Sequence, residues 1–292
     1  MSSLTNFLKS NEASTFVDAF STYISNNKKE IILTGETRKN IKKYSLLKDY
    51  AIVGTAYDYL LRIRIALLNN INMTANDTVA AISLTSLVKF HAHEAELIFL
   101  VKFLLSEFNA LMIVLRKMYD SNTKLTQAHF EQLINLSIQL AIIDRIYRQG
   151  ELISVEDLSL KYIEKYKHDL ITLWKNTEMS LFESKLKCFS LNPTIGSFNV
   201  YSPNSGLITK SDGDLVIDDR IIDIKTTNSM DYSNFIQVFC YAIMINHKFN
   251  TQIDTIQLYF SRYNRLASLC INSEPFHEFR EQFIKCSQKK EK

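Results

Sequence analysis

The sequence predicts a mixed α/β protein in which a mainly helical region, residues 1–190, precedes a smaller core of strands and helices. No proline occurs before Pro193, and only Gly35, Gly54 and Gly150 fall in the first 192 residues. Proline and glycine both break helices, so their scarcity favours helix there. From Asn192 onward, turn-forming residues alternate with short apolar runs, a pattern typical of strands.

The composition provides ample material for a folded core, because 46% of the 292 residues are hydrophobic. That length fits one large domain or two small ones. The net charge of +3 is too small to indicate nucleic acid by itself. The four cysteines are widely spaced and form no Cys-x-x-Cys pair. They therefore predict reduced thiols in a cytoplasmic protein, with neither a zinc site nor a disulfide framework.

The sequence indicates neither export nor contact with a membrane. Its N-terminus lacks the basic start and the apolar core of a signal peptide. The most apolar stretch, residues 97–115, is interrupted by Lys102, Glu107 and Asn109, which argues against a span across a bilayer. We therefore predict a cytoplasmic protein that makes no membrane contact.

Apolar spacing places the helices of the first region. They are predicted over residues 4–24, 53–68, 84–104, 110–118, 130–148, 154–166 and 168–188. Gly150 is the expected terminator of the fifth helix. His91 and His93 lie two apart on the third helix, and side chains at that spacing point about 200° apart, so they are not expected to share a metal ion.

Residues 211–227 predict a β-hairpin, since two short apolar runs flank the turn formers Asp218 and Asp219. If the turn has the common two-residue length, Ile217 pairs with Arg220. Continuing the ladder by three residues sets Asp214 directly opposite Asp223.

Two facing carboxylates destabilise a hairpin, because their Cβ atoms lie only about 4.5–5.5 Å apart. Side chains alternate along a strand, so Lys225 shares the face of Asp223, while Ile222 and Ile224 point the other way into a core. A divalent cation between the acids would turn the repulsion into binding, and Mg²⁺ is typically held by one or two carboxylates. The pattern therefore indicates a magnesium site.

A helix and two strands are predicted after the hairpin. Asp231 or Ser233 caps a helix over residues 234–245, on which Gln237 and Tyr241, four apart, share one face. Residues 255–263 predict a strand, and residues 266–271 return as a second one. Pro275 lies in the first turn of a final amphipathic helix.

These residues carry a resemblance to a known family. Asp214, followed by Asp223-Ile224-Lys225, resembles the Asp…(Asp/Glu)-x-Lys signature of the PD-(D/E)XK nuclease superfamily. The resemblance implies a restriction-endonuclease-like core, with a central mixed sheet flanked by helices, in residues 191–288. It further implies metal-dependent hydrolysis of phosphodiester bonds, and residues 289–292 are expected to be a disordered tail.

Two further motifs are similar to those of the RecB-like branch of this superfamily. Gln237-x-x-x-Tyr241 matches its Gln-x-x-x-Tyr motif, in the expected place after the Asp-x-Lys strand. Gly54-x-x-x-Asp58 is similar to its Gly-x-x-x-His motif, with aspartate in place of histidine. The helical region would then contribute residues 54–62 to the site. Alternatively, Asp58 and Arg62, four apart on the helix, form only an ordinary surface ion pair, which is worth about a few tenths of a kcal/mol.

The resemblance also implies a role for each residue. Asp214, Asp223, the Ile224 carbonyl and Asp58 would hold Mg²⁺, for which Mn²⁺ is expected to substitute. Lys225 would assist catalysis together with the two hairpin aspartates. The side chains expected to orient substrate or to touch nucleic acid are Gln237, Tyr241, Thr226 and Arg262, the last being alternatively an ordinary surface arginine. The cysteine spacing differs from that of the iron–sulfur members, so no cluster is expected.

The predicted function is therefore a Mg²⁺-dependent deoxyribonuclease of repair, recombination or defence, with RNA as a second candidate substrate. Two alternatives remain at this point. One is a protein of nuclease-like fold that only binds nucleic acid or another protein. The other is a chance hairpin in which Lys225 is merely the salt-bridge partner of two strand carboxylates.

Overall fold

The computed structural model describes residues 2–36, 50–184, 186, 189–191, 208–210 and 213–288. The chain divides into two compact units, one formed by Asn40–Met179 and the other by Met1–Lys39 together with Ser180–Lys292. The first 39 residues thus belong to the same unit as the hairpin, whereas the sequence analysis grouped them with the helical region. The expected tail, residues 289–292, lies outside the described residues.

The unit Asn40–Met179 is built from α-helices, whose apolar faces pack around one central helix. The helices are α3 (Tyr50–Leu68), α4 (Val79–Phe90), α5 (Ala95–Asp120), α6 (Gln127–Gln149) and α7 (Leu160–Asn176). The central helix is α6, which packs against the other four and is buried along most of its length. It ends as predicted at Gly150, whose φ of +67° closes the helix in the left-handed conformation that glycine adopts without strain.

The helix that the sequence predicted over residues 84–104 is interrupted between α4 and α5. Residues 91–94 form a turn, and the rings of His91 and His93 lie 6.1 Å apart between centroids. The predicted 200° separation of these two side chains is therefore wrong, because they do not lie on a helix. Among the described residues, however, no group of three or more His, Cys, Asp or Glu side chains is placed to hold a metal ion.

By length and composition, α5 is the one helix of the described chain that could cross a membrane. One such helix is weak evidence, because a core helix of a soluble protein has the same character. Leu97, Val101, Leu104 and Phe108 are indeed buried within the helical unit. The opposite side of α5 is exposed and is considered below.

The second unit contains a mixed six-stranded sheet flanked by helices. Its strands are β2 (Ile32–Thr34), β3 (Phe189–Leu191), β5 (Leu215–Ile217), β6 (Arg220–Lys225), β7 (Thr255–Phe260) and β8 (Arg265–Cys270), in the order β2-β8-β7-β6-β5-β3. Only β6 and β7 pair in parallel; the other neighbours are antiparallel. A two-stranded parallel sheet joins β1 (Ser2–Ser3) to β4 (Ile208–Lys210).

The parallel pair requires a crossover, which the helix α8 (Phe235–Phe249) provides. This helix packs against β6 and β7 and is buried over ten of its fifteen residues. Two outer helices, α2 (Ser14–Asn26) and α9 (Glu274–Ser287), pack on α8. A short helix, α1 (Leu4–Phe7), completes the N-terminal part.

An aromatic cluster holds the N-terminal segment in the sheet unit. The ring of Phe20 on α2 lies 5.1 Å from that of Phe239 on α8 and 5.2 Å from that of Phe279 on α9, measured between centroids. All three residues are buried. The N-terminal helix is therefore part of the core that supports the hairpin.

Candidate active site

The hairpin has the register that the sequence predicts. Ile217 pairs with Arg220 and Leu215 with Ile222 across a two-residue turn formed by Asp218 and Asp219. Asp218 has a φ of +55°, in the left-handed region that short hairpin turns require. Asp214 directly precedes the paired residues, and its Oδ2 accepts from the Ile224 N–H, which places it beside Asp223.

The hairpin separates Asp223 and Lys225 from Ile222 as predicted, but the face that carries the acids is covered as well as the aliphatic one. Asp223 pairs with Leu258, and Lys225 pairs with Phe260, in the neighbouring strand β7. Leu258 and Phe260 belong to the core that β6 and β7 form with α8, so Asp223 and Lys225 point to the side that α8 covers. Ile222, on the opposite face, is fully buried as well.

Asp223 is the most electrostatically perturbed residue of the hairpin. It is 5% exposed, and this burial raises the pKa of its carboxyl to about 7 against the opposing effect of the Lys225 ammonium, with a smaller upward contribution from Asp214. The Lys225 ammonium lies 2.7 Å from Oδ2 of Asp223. Burial lowers the pKa of Lys225, but the negative charges of Asp223, Asp214 and Asp231 outweigh it, so the lysine pKa is raised overall. One cation thus sits among three carboxyl groups.

Asp214 is positioned by the backbone of the partner strand. Its Oδ2 accepts a hydrogen bond of 2.8 Å from the Ile224 N–H. The next carbonyl, that of Lys225, accepts from Ser261 N at the end of β7, on the other side of β6. Since N–H and C=O groups alternate in direction along a strand, the Ile224 carbonyl points to the side of Asp214.

The residues brought together are suited to a hard divalent cation. Two carboxyl groups and one backbone carbonyl provide only oxygen ligands, which Mg²⁺ prefers. Mg²⁺ commonly keeps several waters and takes further oxygens from substrate phosphate, so two protein carboxylates are a sufficient anchor. Oδ2 of Asp223 is completely buried and accepts no hydrogen bond of regular geometry, although Lys225 lies beside it. The donor set therefore fits Mg²⁺ or Mn²⁺.

Gln237 and Tyr241 interact with each other on the first half of α8. The Gln237 side-chain amide donates a hydrogen bond of 2.7 Å to the Tyr241 hydroxyl. Tyr241 is buried and Gln237 is partly exposed. The predicted pairing on one helix face is confirmed, and the helix that carries it packs on β6. Their predicted role in orienting substrate stays a prediction.

Arg262 differs from expectation. It is only 1% exposed, and its Nε donates a hydrogen bond of 2.9 Å to the carbonyl of Thr226. The expectation of a surface arginine is therefore wrong, because the guanidinium is enclosed while it holds the chain just after Lys225. A direct contact of Arg262 or Thr226 with nucleic acid stays a prediction, with no exposed guanidinium to support it.

Asp58 lies on α3 in the helical unit, where it forms the ion pair that was the alternative to metal binding. Its carboxylate accepts from both Nε and Nη2 of Arg62, which is 2% exposed. The pair is thus largely buried, whereas the sequence analysis expected a surface one. The role of Asp58 as a metal ligand stays a prediction, as does that of the Gly54 motif.

Sequence reasoning missed two acidic residues. Asp231 lies in the segment that precedes α8, where its negative charge raises the pKa of Lys225. Its carboxylate also accepts a hydrogen bond from Ser233 N. Asp144 on α6 is 2% exposed and accepts a hydrogen bond of 2.8 Å from the Tyr59 hydroxyl. Burial raises the pKa of Asp144 to about 7 against the opposing effect of Arg148. The sequence marked Asp231 only as a helix cap, and it did not mark Asp144, whose burial depends on its contact with the distant Tyr59.

Comparison with known proteins identifies no relative of this chain: no family model matches it, and neither a curated protein nor a solved structure is similar enough to give a match. The fold and the site must therefore be interpreted from their own geometry.

Proposed function

We propose that the hairpin carries the active centre of a Mg²⁺-dependent nuclease, with DNA as its substrate. The observation that supports this most directly is the meeting of Asp214, Asp223 and Lys225 in one partly buried cluster, in the register that the Asp…Asp-x-Lys motif requires. If the three side chains lay far apart in the structure, the motif would not support a nuclease.

The energetics of the cluster favour a functional role over a structural one. A carboxyl group whose pKa is raised by burial and by a neighbouring acid makes the folded state less stable at neutral pH. A hydrophobic residue at position 223 would pack against Leu258 without that penalty. Carboxyl groups with such raised pKa values are typical of functional sites, where a bound ion relieves the repulsion between neighbouring acids.

The architecture also agrees with the restriction-endonuclease-like core that the motifs imply. The two strands of the hairpin are followed by α8 with its Gln237–Tyr241 pair, and α8 leads into the parallel strand β7. Together they form a central mixed sheet with helices against it. We therefore propose that the sheet unit has this restriction-endonuclease-like fold.

Within the proposed centre, each residue has a definable task. A bound Mg²⁺ supplies polarisation of the scissile phosphate and activation of water. The hydrogen bond from the Ile224 N–H orients the Asp214 carboxylate and preorganises it as an oxygen ligand. Lys225 retains its proton beside Asp223 and is placed to stabilise negative charge that develops on the phosphate. Arg262 holds the chain just after β6, because its Nε donates a hydrogen bond to the Thr226 carbonyl.

DNA is proposed on the strength of the family resemblance, and RNA is the alternative polymer. The rival function is a protein of the same fold that binds without cleaving. The paired carboxylates argue against that alternative, because their negative charge repels a phosphate backbone unless a cation lies between the carboxylates and the phosphates.

The experiment is a cleavage assay on linear, circular and single-stranded DNA and on RNA, with Mg²⁺, Mn²⁺ or EDTA. Wild type is compared with Asp223→Asn, Lys225→Met and the control Asp219→Asn, which alters an exposed carboxylate of the same hairpin. We expect metal-dependent cleavage that the first two variants lose and the control keeps. Cleavage by all four proteins would indicate contamination or another site, and it would refute the assignment.

A second measurement covers the case in which no substrate is cut. Mg²⁺ or Mn²⁺ binding is then measured by calorimetry for wild type and Asp223→Asn. If wild type binds the metal and Asp223→Asn does not, the proposed metal site is supported and only the substrate remains to be identified. Binding that is absent, or unchanged by this substitution, would overturn the nuclease proposal and favour the non-catalytic alternative.

A further inference from the structure

The exposed side of α5 carries an apolar stripe with an unusually regular spacing. Phe99, Phe103, Ser106, Ala110 and Ile113 follow one another at intervals of four, three, four and three residues, and all five are exposed. Four of them are apolar, and Ser106 at the centre is small and polar. The three large members are 72%, 50% and 58% exposed for Phe99, Phe103 and Ile113, respectively. We call these five residues the α5 stripe.

The spacing is that of a helix–helix seam. Apolar residues that alternate by three and four lie along one line of a helix and pack into a facing helix as knobs into holes. The inward side of α5 is already buried by its own unit through Leu97, Val101 and Leu104. The stripe is therefore a second apolar face, and large exposed apolar patches on folded proteins mark interaction sites.

We propose that the α5 stripe is the contact surface of a homodimer, in which α5 of a second copy lies antiparallel on the first. That orientation sets large against small side chains near the middle of the stripe and places Phe99 beside Ile113 at each end. Its first half is bulky, with Phe99 and Phe103, and its second half begins with the small Ala110. Antiparallel pairing centred near Ser106 sets Phe103 of one copy against Ala110 of the other, twice by symmetry.

Charge complementarity selects the same orientation. Glu96 lies one turn before the stripe and Lys117 one turn after it, and both are exposed. In the antiparallel pair, Glu96 of each copy approaches Lys117 of the other, whereas a parallel pair would bring like charges together. An antiparallel arrangement also aligns the two helix dipoles favourably.

A second copy fits this surface better than a lipid bilayer does. Lys102 and Glu107 flank the stripe within its length, and charged side chains are costly inside hydrocarbon. At the rim of a protein–protein contact the same charges stay in water. The stripe belongs to the helical unit, whereas the hairpin belongs to the unit that contains the sheet.

The test is sedimentation equilibrium of the full chain over a range of micromolar concentrations. We expect wild type to form a dimer, and Phe103→Ser to raise its dissociation constant by about 30-fold or more, the loss expected at a well-packed aromatic anchor. The control is Phe249→Ser, which removes a similarly exposed phenylalanine at the end of α8 and should leave the dimer unchanged. Circular dichroism verifies that the variants are folded.

Charge exchange tests the orientation without touching the apolar residues. Glu96→Lys and Lys117→Glu should each weaken the dimer, and the double exchange should restore it. A double exchange that does not restore the dimer would overturn the antiparallel arrangement. A wild-type protein that stays monomeric would overturn the proposal, and phosphatidylcholine vesicle binding that Phe103→Ser abolishes would assign the stripe to a membrane instead.

Discussion

The substitution Asp223→Asn separates a metal ligand from a structural salt-bridge partner. It removes one negative charge from the buried cluster and keeps the size of the side chain. In the folded protein the pKa of Asp223 is raised from 3.8 to about 7, mainly by burial. Well below pH 3.8 the wild-type side chain is neutral in both states, so the difference in pKa does not change the stability there. As the pH rises toward 7, the unfolded chain loses this proton first, and the folded state is progressively destabilised.

The size of this effect follows from the shift itself. Each pKa unit corresponds to about 1.4 kcal/mol, so a shift of about three units sets an upper limit of about 4 kcal/mol. Asparagine does not titrate. The unfolding free energy of Asp223→Asn minus that of wild type should therefore increase between pH 4 and pH 8, by no more than this limit. The increase is independent of any constant offset from the lost pairing with Lys225.

The assay is urea denaturation at several pH values, in EDTA and in Mg²⁺. We expect Mg²⁺ to stabilise wild type at pH 8 and to have little effect on Asp223→Asn, because binding to the folded state alone adds to its stability. The matched control is Asp144→Asn in the helical unit, since the pKa of Asp144 is also raised to about 7 by burial. That variant should reproduce the pH effect but keep the response to Mg²⁺.

Two results would refute this reasoning. A difference between Asp223→Asn and wild type that stays constant from pH 4 to pH 8 would show that Asp223 is ionised throughout, as in an ordinary salt bridge with Lys225. An equal response of both proteins to Mg²⁺ would show that the ion binds elsewhere.

Substitutions at three other positions test the neighbouring contacts. Lys225→Met should lower the cleavage rate by about 10²- to 10⁴-fold while Mg²⁺ still binds, as single-turnover kinetics and calorimetry would show; unchanged cleavage would remove Lys225 from the mechanism. Asp214→Ala should reduce the unfolding free energy by about 1–3 kcal/mol, because the Ile224 N–H loses its acceptor. Asp214→Asn keeps an acceptor oxygen, so equal losses in the two variants, measured in urea, would contradict that explanation. Phe20→Ala should cost about 3–5 kcal/mol and increase hydrogen exchange in α8, since its ring packs on Phe239; exchange that increases only in the helical unit would contradict the placement of α2.

The hairpin could be predicted from the sequence because its determinants are local. The period of two along a strand and the pair Asp218–Asp219 at the turn fix the register, and with it the position of Asp214 opposite Asp223. The end of α6 at Gly150 was predictable for the same reason, since a left-handed residue closes a helix whatever surrounds it.

What surrounds these elements was decided by contacts between distant parts of the chain. No local pattern indicates that α8 covers Asp223, that Arg262 is enclosed while it holds Thr226, or that Phe20 joins the core of the sheet unit. Sequence periodicity reports which residues share a face, but not what covers that face. The sequence by itself therefore determined the motif and its register, and only the tertiary structure determined the burial that shifts the pKa of Asp223 and gives the site its chemistry.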